Sequence, residues 1–148
     1  MTAEDGTSRQ DAVQAAVQLL RTQAKFTQRM LRALSRHGLT GPQFDVLTAL
    51  HGAEGIMQQE LAGRLRVTRG NVTGVVDRME ALGWIERRAD PGDRRTRRLF
   101  LTAEGRATFA AAQPEHRALV HAFMADFGAD EVRTLTRLLR KLEDGIEK

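Results

Sequence analysis

The stretch over residues 68–102 constrains the fold more than any other part of the chain. It reads TRGNVTGVVDRMEALGWIERRADPGDRRTRRLFLT. Its first half spaces apolar residues at helical intervals, which predicts one buried helix face: Val72, Val75, Val76, Met79 and Leu82. Thr68 suits the helix N-cap, and Gly83 suits the left-handed position that ends a helix. The polar residues outside the apolar stripe form the predicted outer face of this helix: Arg69, Asn71, Thr73, Gly74 and Arg78.

Two glycines weaken this helix from within. Gly70 and Gly74 each cost about 1 kcal/mol relative to alanine, and they lie one turn apart. Such positions favour the close approach of another backbone, for example a DNA phosphate or base edge. The alternative is that both glycines accommodate a neighbouring helix of the same chain.

The second half of the stretch predicts a β-hairpin. Residues 84–88 and 97–101 are β-prone, and ADPGDRRT between them has the composition of a turn. Upstream, residues 58–65 are predicted as a short helix, so that two helices and a hairpin follow one another. This order is typical of a winged helix-turn-helix. Arg94 and Arg95 at the hairpin tip would then be available to a phosphate backbone or a narrow minor groove.

Positive charge is concentrated in the same region. Ten arginines face five acidic residues over residues 64–98, so this segment carries +5 in a chain whose net charge is +4. A local patch of arginine predicts a polyanionic partner such as double-stranded DNA. The alternative, a merely solvated run of charge, is disfavoured by its position on a turn after a helix-turn-helix. Several arginines could instead form intramolecular pairs with Asp77, Glu80 or Glu86: Arg64, Arg66, Arg87, Arg88, Arg97 and Arg98.

The rest of the chain is predicted to be helical. The first ten residues lack periodicity and are expected to form a flexible arm, followed by one helix over residues 11–36. A second helix over residues 39–51 has Thr40 as its cap, Pro42 in its first turn and Gln43 at the capping-box position, and Ile56 and Met57 are expected to form a brief strand. Thr102 is expected to cap the next helix, which should kink or break near Gln113 because Pro114 cannot donate a hydrogen bond. Leu119, Phe123 and Phe127 are spaced for one face of its continuation, Gly128 should end it, and Asp130 should start the last helix.

The terminal helices carry more apolar surface than one small core needs. Their apolar residues are predicted to pack on a second copy: Val13, Val17, Leu20, Leu135, Leu138, Leu139, Leu142 and Ile146. The alternative is that the two ends pack on each other within one chain. We therefore predict a single domain over residues 1–148, with a DNA-binding lobe over residues 39–102 and dimerisation helices over residues 11–37 and 103–148.

Other functional classes find no support in the sequence. The chain has no cysteine, no Gly-rich phosphate loop, no HExxH and no GxSxG, so neither an enzyme nor a cofactor is predicted. Its four histidines are scattered, so no metal site is predicted. It has no apolar run that could cross a bilayer, and its polar start is unlike a secretory signal, which leads us to expect a cytoplasmic protein without a membrane partner.

Together these residues resemble the MarR family of bacterial transcription regulators over nearly the whole chain. The matching pieces are LTGPQFDVLTAL at 39–50, QQELAGRLRVTRGNVTGVVDRMEALGWIERR at 58–88 and DPGDRRTRRLFLTAEG at 90–105. The resemblance implies a homodimer that binds a pseudo-palindromic operator, usually as a repressor released by a small aromatic or phenolic ligand. It also implies that Arg95 is the wing arginine of the minor groove and that Asp93 orients it by a salt bridge. Trp84 and Met57 depart from the commoner pattern, and Met57 would leave the third helix poorly capped.

Two questions remain open at this point. An effector cleft is expected near Phe26, Met30, His37, Phe44 and Leu47, although Phe26, Met30 and Phe44 could equally be plain core. A sequence-specific regulator and a protein that coats nucleic acid without base readout both fit the winged helix. A winged helix that binds protein is a third class, which the arginine-rich hairpin argues against.

Overall fold

A computed structural model describes residues 3–65 and 69–147. The elements in chain order are α1 Ala3–Ser35, α2 Gly41–Gly52, β1 Ile56–Met57, α3 Gln58–Leu65, α4 Arg69–Ala81, β2 Ile85–Ala89, β3 Arg97–Leu101, α5 Ala103–Phe123 and α6 Ala129–Ile146. The prediction of a mainly α fold with a small β wing is confirmed. The chain divides into two compact units between Gln113 and Pro114.

The sheet has three strands rather than the two of the hairpin. β2 and β3 pair antiparallel, with Ile85 opposite Leu101 and Ala89 opposite Arg97. β1 pairs with the other edge of β3, with Ile56 opposite Leu99, which gives the order β1-β3-β2. The brief strand at Ile56 and Met57 was expected, but its pairing was not.

The core of the first unit lies where α2, α3 and α4 meet this sheet. Its side chains are almost completely buried: Leu47, Leu50, Leu61, Val76, Met79, Ile85, Leu99 and Leu101. In the helices these side chains recur every three or four residues, and in β3 they occupy alternate positions, because residues at those spacings share one face of a helix or strand. The winged helix-turn-helix is therefore built around one apolar cluster.

Local signals set the starts of α2 and α3. Gln43 N–H donates to Thr40 Oγ1 over 3.3 Å and Thr40 N–H donates to Gln43 Oε1 over 2.9 Å, so the predicted capping box is present. The start of α3 is better capped than Met57 suggested. Glu60 Oε2 accepts from Met57 N–H over 2.6 Å, because a carboxylate three residues into the helix can reach back.

The prediction of a flexible arm is wrong, because α1 begins at Ala3. A segment without an apolar stripe can still extend a helix that is already nucleated, because each added residue contributes one backbone hydrogen bond. Near its other end Ala33 and Leu34 are buried in the core.

The helix after the sheet is continuous through Pro114, so the predicted break is absent, and the alternative of a kink near Gln113 stays a prediction. Proline removes one hydrogen bond, and the carbonyl it frees belongs to Ala110, which is exposed and can bond to water instead. α5 ends at Phe123, so Phe127 lies beyond it and is 46% exposed. Thr102 caps this helix as predicted, with Gly105 N–H donating to its Oγ1 over 3.0 Å.

The last helix has a strongly apolar face that stays uncovered. α6 has no buried residue, and Gly128 N–H donates to Glu131 Oε2 over 2.8 Å at its start. Leu138, Leu139, Leu142 and Ile146 are all between 43% and 76% exposed. Val13, Val17 and Leu20 on α1 are exposed as well. None of the helices that the structure describes combines the length and apolarity needed to cross a bilayer.

Candidate nucleic-acid interface

Helix α4 has the two faces that its sequence predicts. Val72, Val76 and Met79 are buried, whereas Asn71, Thr73 and Arg78 are exposed. Leu82 was expected on the buried face but is 49% exposed, because α4 ends at Ala81. Gly83 has φ +76°, as the predicted left-handed stop requires. Thr68 and the side chain of Arg69 lie outside the described residues.

The two glycines of α4 do not accommodate a neighbouring helix. Within the described residues, no heavy atom comes within 4 Å of a β-carbon built at Gly70. At Gly74 the nearest atom is Nη2 of Arg78, at 3.7 Å. Arg78 lies back along its own helix, and its Nε donates to the Gly74 carbonyl over 3.1 Å. The outer face of α4 therefore has open space at Gly70, and the guanidinium of Arg78 is held beside Gly74.

A hydrogen-bonded network joins α3, α4 and β2 beside this face. Gln58 Nε2 donates to Thr73 Oγ1 over 2.6 Å, and Gln58 Oε1 accepts from Arg87 Nη2 over 3.3 Å. Arg87 also donates to Asp77 Oδ1 over 2.5 Å and to Glu80. Burial by itself would lower the pKa of Arg87, but the hydrogen bonds and charges of Asp77 and Glu80 outweigh it and raise that pKa. Arg87 is thus a fixed structural cation, as the alternative of intramolecular pairing predicted.

The hairpin turn is closed by two aspartates that bond to its backbone. Asp90 Oδ2 accepts from the N–H groups of Gly92 and Asp93 over 3.0 and 3.1 Å. Asp93 Oδ1 accepts from Arg95 N–H and its Oδ2 from Thr96 Oγ1, both over 2.9 Å. Two backbone hydrogen bonds complete the turn: Asp90 N–H donates to the Thr96 carbonyl, and Thr96 N–H donates to the Asp93 carbonyl. The carboxylates therefore shape the turn, and the side chains of Arg94 and Arg95 point into solvent.

The expected salt bridge from Asp93 to the Arg95 guanidinium is not formed. Asp93 contacts Arg95 through the backbone instead. Both carboxylate oxygens of Asp93 already accept hydrogen bonds within the turn. For residues two apart, a bond from the backbone N–H fixes fewer side-chain torsions than a bond from the guanidinium, so it costs less conformational entropy. Asp93 thus fixes the backbone that carries Arg95, while the guanidinium itself remains outside.

Arg98 anchors the base of the hairpin. Its Nε donates to Asp90, and its Nη1 donates to the Gly55 carbonyl over 2.8 Å. The hydrogen bond from Arg98, followed by that from Gly92 N–H, holds the pKa of Asp90 below its usual value. The same hydrogen bond and the Asp90 charge raise the pKa of Arg98. Arg98 therefore links the hairpin, through Asp90, to the loop before β1, through the Gly55 carbonyl.

The basic residues sort into two groups. Arg88 pairs with Glu86 and lies 4.4 Å from the centre of the Phe100 ring, so with Arg87 and Arg98 it serves the fold. In the part of the chain that the structure describes, Arg94, Arg95 and Arg97 are exposed and form no ion pair. Arg94, Arg95 and Arg97 of the hairpin are thus available to an external anion. Charge counting along the sequence could not separate the two groups.

The residues expected to line an effector cleft lie mainly in the core. Leu47 is fully buried, Phe44 is 5% exposed and Met30 is 8% exposed. The ring of Phe44 packs on Phe109 with centroids 5.7 Å apart. Met30, Phe44 and Leu47 thus belong to the core in this structure, because apolar spacing also marks core, and their role in an effector cleft stays a prediction. Phe26 and His37 are half-buried.

A different cavity adjoins α4. It has a volume of about 450 Å³. Asp45 and Val46 of α2 line one side, and Asn71, Val75 and Arg78 of α4 line another. Apolar walls with a few polar groups are typical of small-molecule sites.

Three parts of this interface were not predicted from the sequence: Gln58, Asp90 and Gly55. Gln58 begins α3, where the first helix of a helix-turn-helix faces its second, and that position was the available signal. Asp90 carries the usual signal of an aspartate two residues before a turn glycine. No local pattern identifies Gly55, whose carbonyl is selected only by the approach of Arg98.

Comparison with known proteins supports the same architecture. Residues 37–96 match a family model described as MarR family. The chain is similar to the transcriptional activatory protein BadR of Rhodopseudomonas palustris, with 36% identity over 121 residues that cover 79% of this chain and 69% of that protein.

Two solved structures are similar over most of their length. A mutant MarR from E. coli, complexed with operator DNA, matches with a TM-score of 0.80 and 30% identity over 89% of this chain and 95% of that chain. The PcaV transcriptional regulator from Streptomyces coelicolor, in complex with its natural ligand, matches with a TM-score of 0.72 and 28% identity over 88% of this chain and 89% of that chain.

Proposed function

This chain belongs to the MarR family of DNA-binding transcription regulators, and we propose that it is a sequence-specific homodimer that represses transcription until a small molecule releases it. It is a regulator and not an enzyme, since its relatives form a family of transcriptional regulators. The finer proposals concern the contacts with DNA, the dimer, the direction of regulation and the effector.

The observation that supports the DNA proposal is that the hairpin arginines have two roles, structural at the base and exposed at the tip. Asp90 and Asp93 bond to the turn, and Arg98 is neutralised at its base, while Arg94 and Arg95 stand exposed at the tip. Exposed guanidinium groups on a narrow hairpin suit a minor groove, and the exposed face of α4 suits the adjacent major groove. The proposed DNA-binding residues are Thr68, Arg69, Asn71, Thr73, Gly74, Arg78, Asp93, Arg94, Arg95 and Arg97.

The dimer proposal is supported by the uncovered apolar face of α6. Four large apolar side chains at 43% or more exposure on one helix are costly to leave in water, since apolar area buried is worth about 25 cal/mol per Å². The proposed interface residues are Val13, Val17, Leu20, Leu135, Leu138, Leu139, Leu142 and Ile146. A two-fold would set the two α4 helices about 34 Å apart, to match successive major grooves of a pseudo-palindromic operator.

The effector proposal is supported by the natural ligand of the similar PcaV and by the cavity beside α4. A small aromatic or phenolic ligand fits an apolar cavity with a few polar groups. Asn71 and Arg78 belong both to this cavity and to the proposed DNA-binding residues, so a ligand there would exclude DNA directly. A ligand that binds better to a conformation in which the two α4 helices no longer match the groove spacing would also release DNA.

An activator is the second candidate, because the similar BadR is a transcriptional activatory protein. The two candidates differ in the transcript level of a bound promoter when the regulator is deleted. Loss of a repressor raises that level, and loss of an activator lowers it.

Selection of bound fragments from the protein's own genomic DNA tests the proposal against a nucleic-acid-coating protein. A regulator should enrich a few fragments that share a pseudo-palindrome, with affinity about 10³-fold or more above that for random duplex at physiological salt. Uniform recovery of fragments, with one steep salt dependence for all sequences, would instead indicate a coating protein.

A further inference from the structure

The loop between α2 and β1 joins the base of the hairpin to α5. Gly55 N–H donates to the Leu99 carbonyl over 2.8 Å, and Arg98 Nη1 donates to the Gly55 carbonyl, also over 2.8 Å. Glu54 Oε1 accepts from Leu101 N–H over 3.2 Å. Two successive residues of the loop thus hold the edge of β3 just before β1 begins.

The Glu54 carboxylate takes the place of a missing strand residue at this edge. β1 pairs with Arg98 and Leu99 and does not extend to a partner for Leu101. Leu101 is buried, and a buried N–H without an acceptor is costly. Glu54 completes the edge of β3 with its side chain, so the position of this carboxylate and the position of the strand end depend on each other.

Arg106 of α5 holds the same carboxylate. Its Nη1 lies 2.6 Å from Glu54 Oε1, and its Nη2 donates to Glu54 Oε2 over 3.0 Å. Two parallel hydrogen bonds between a guanidinium and a carboxylate fix the relative orientation of the two groups, which a single point charge does not. Glu54 is therefore positioned by α5, and it holds the end of β3 in turn.

The other end of this connection reaches the hairpin turn. Arg98, which donates to the Gly55 carbonyl, also donates to Asp90, whose other oxygen accepts from two backbone N–H groups of the turn. A continuous series of hydrogen bonds therefore runs from α5 to the turn that carries Arg94 and Arg95. Because the hairpin joins the rest of the domain at its base, contacts at the base decide the orientation of its tip.

We infer that Glu54 is a positioning residue for DNA binding, which holds the base of the hairpin on α5 so that Arg94 and Arg95 meet DNA in one orientation. The inference rests on the proposed function, in which the hairpin tip contacts DNA. Without the Glu54 carboxylate, the hairpin samples several orientations, and only a fraction of the molecules is competent to bind. The apparent dissociation constant then rises by the inverse of that fraction.

The test measures the affinity of full-length variants for a duplex that the wild type binds, by fluorescence anisotropy. Glu54→Met keeps the approximate length of the side chain and removes its acceptors. It should weaken binding about three- to tenfold, as expected if about a tenth to a third of the molecules stays competent. Glu104→Met is the matched control, because Glu104 is an exposed glutamate of α5 without a described side-chain hydrogen bond, and it should bind as the wild type does.

Double-mutant cycles separate positioning of the hairpin from stability of the fold. In a background with Arg94→Ala and Arg95→Ala, Glu54→Met should weaken binding no further, because Glu54 acts through the hairpin tip. In an Arg78→Ala background, which alters α4 and leaves the hairpin intact, the full loss should remain. A residue that only stabilised the fold would leave the affinity of the folded protein unchanged in every background.

Arg106→Met tests the link to α5 while Glu54 keeps its bond to Leu101 N–H. The Arg106 side chain is 53% exposed, so the loss of its ion pair costs little stability, and this variant decides the test even if Glu54→Met unfolds. Arg106→Met should weaken binding as Glu54→Met does, and the two substitutions together should be no worse than either alone. Arg106→Lys, which restores one charged donor, should recover part of the loss.

The inference is overturned if folded Arg106→Met keeps the affinity of the wild type, or if the loss caused by Glu54→Met persists without the tip arginines. Full additivity of Glu54→Met with Arg106→Met would overturn it as well, since Arg106 would then contact DNA independently. Full affinity of the variant that lacks both tip arginines would refute the role of the hairpin and this inference together. A wild type without sequence preference would contradict only the proposed regulator, because the cycles can be measured on any duplex that it binds.

Discussion

Gly105 lies against the backbone of Trp84, where a β-carbon at position 105 would stand 1.9 Å from the Trp84 carbonyl oxygen. The same carbonyl accepts from Thr102 N–H over 3.0 Å, and Thr102 Oγ1 donates to the Gly83 carbonyl over 2.5 Å. The first turn of α5 is thereby fastened to the end of α4 and the start of β2. This contact sets where the hairpin leaves the helix-turn-helix.

Gly105→Ala should destabilise the protein by about 2–3 kcal/mol, because a rigid backbone carbonyl cannot move aside as a side chain can. Denaturant unfolding followed by circular dichroism measures the loss. Gly145→Ala on α6 is the control, since nothing described lies within 4 Å of its β-carbon, and it should leave stability unchanged or raise it by up to about 1 kcal/mol. Equal effects of the two substitutions would contradict the close contact.

Arg95→Ala should weaken operator binding about 10- to 100-fold without lowering the melting temperature, because the exposed Arg95 guanidinium forms no described ion pair. Fluorescence anisotropy over a range of salt concentrations measures the affinity and its salt dependence. Arg117→Ala removes an exposed arginine of α5 and should bind DNA as the wild type does. Full affinity of the Arg95 variant would refute the assignment of the hairpin tip to DNA.

Asp90→Asn should destabilise the protein at neutral pH, and its effect should shrink in acid. The folded-state pKa of Asp90 lies below its unfolded value, so its stabilisation is present above the unfolded pKa, about 3.9, and is lost as the pH falls through the lowered folded pKa. The difference in unfolding free energy between the wild type and the variant, measured from pH 7 downward, should therefore diminish. In an Arg98→Met background that pH dependence should largely disappear, since Arg98 is its main cause. An unchanged dependence there would point to another partner.

Leu138→Glu combined with Leu142→Glu should raise the dissociation constant of the dimer at least about 100-fold, because both exposed side chains belong to the proposed apolar interface. Light scattering gives the mass, and operator affinity should fall together with it. Arg137→Glu introduces a carboxylate on the opposite side of α6 and should leave the dimer intact. A double variant that still has the mass of two chains would show that the interface lies elsewhere.

The sequence predicted those elements whose causes are local. The bounds of α3, the capping box of Thr40 and Gln43, and the stop at Gly83 depend on residues within one or two turns of each other. Predictions failed where the outcome depended on more than the neighbouring residues in the sequence. Pro114 did not break α5, and Leu82 was left outside the apolar face, because solvent exposure and helix length decided those outcomes.

By itself, the amino-acid sequence determined the winged helix-turn-helix, its basic hairpin and the amphipathic terminal helices, because periodicity and capping are properties of contiguous residues. Only the tertiary structure decided which arginines are structural. Arg87 meets Gln58, 29 residues away, and Arg98 meets the Gly55 carbonyl, 43 residues away. A long, flexible guanidinium has several acceptors within reach, and the stacking of α3, α4 and the sheet selects among them.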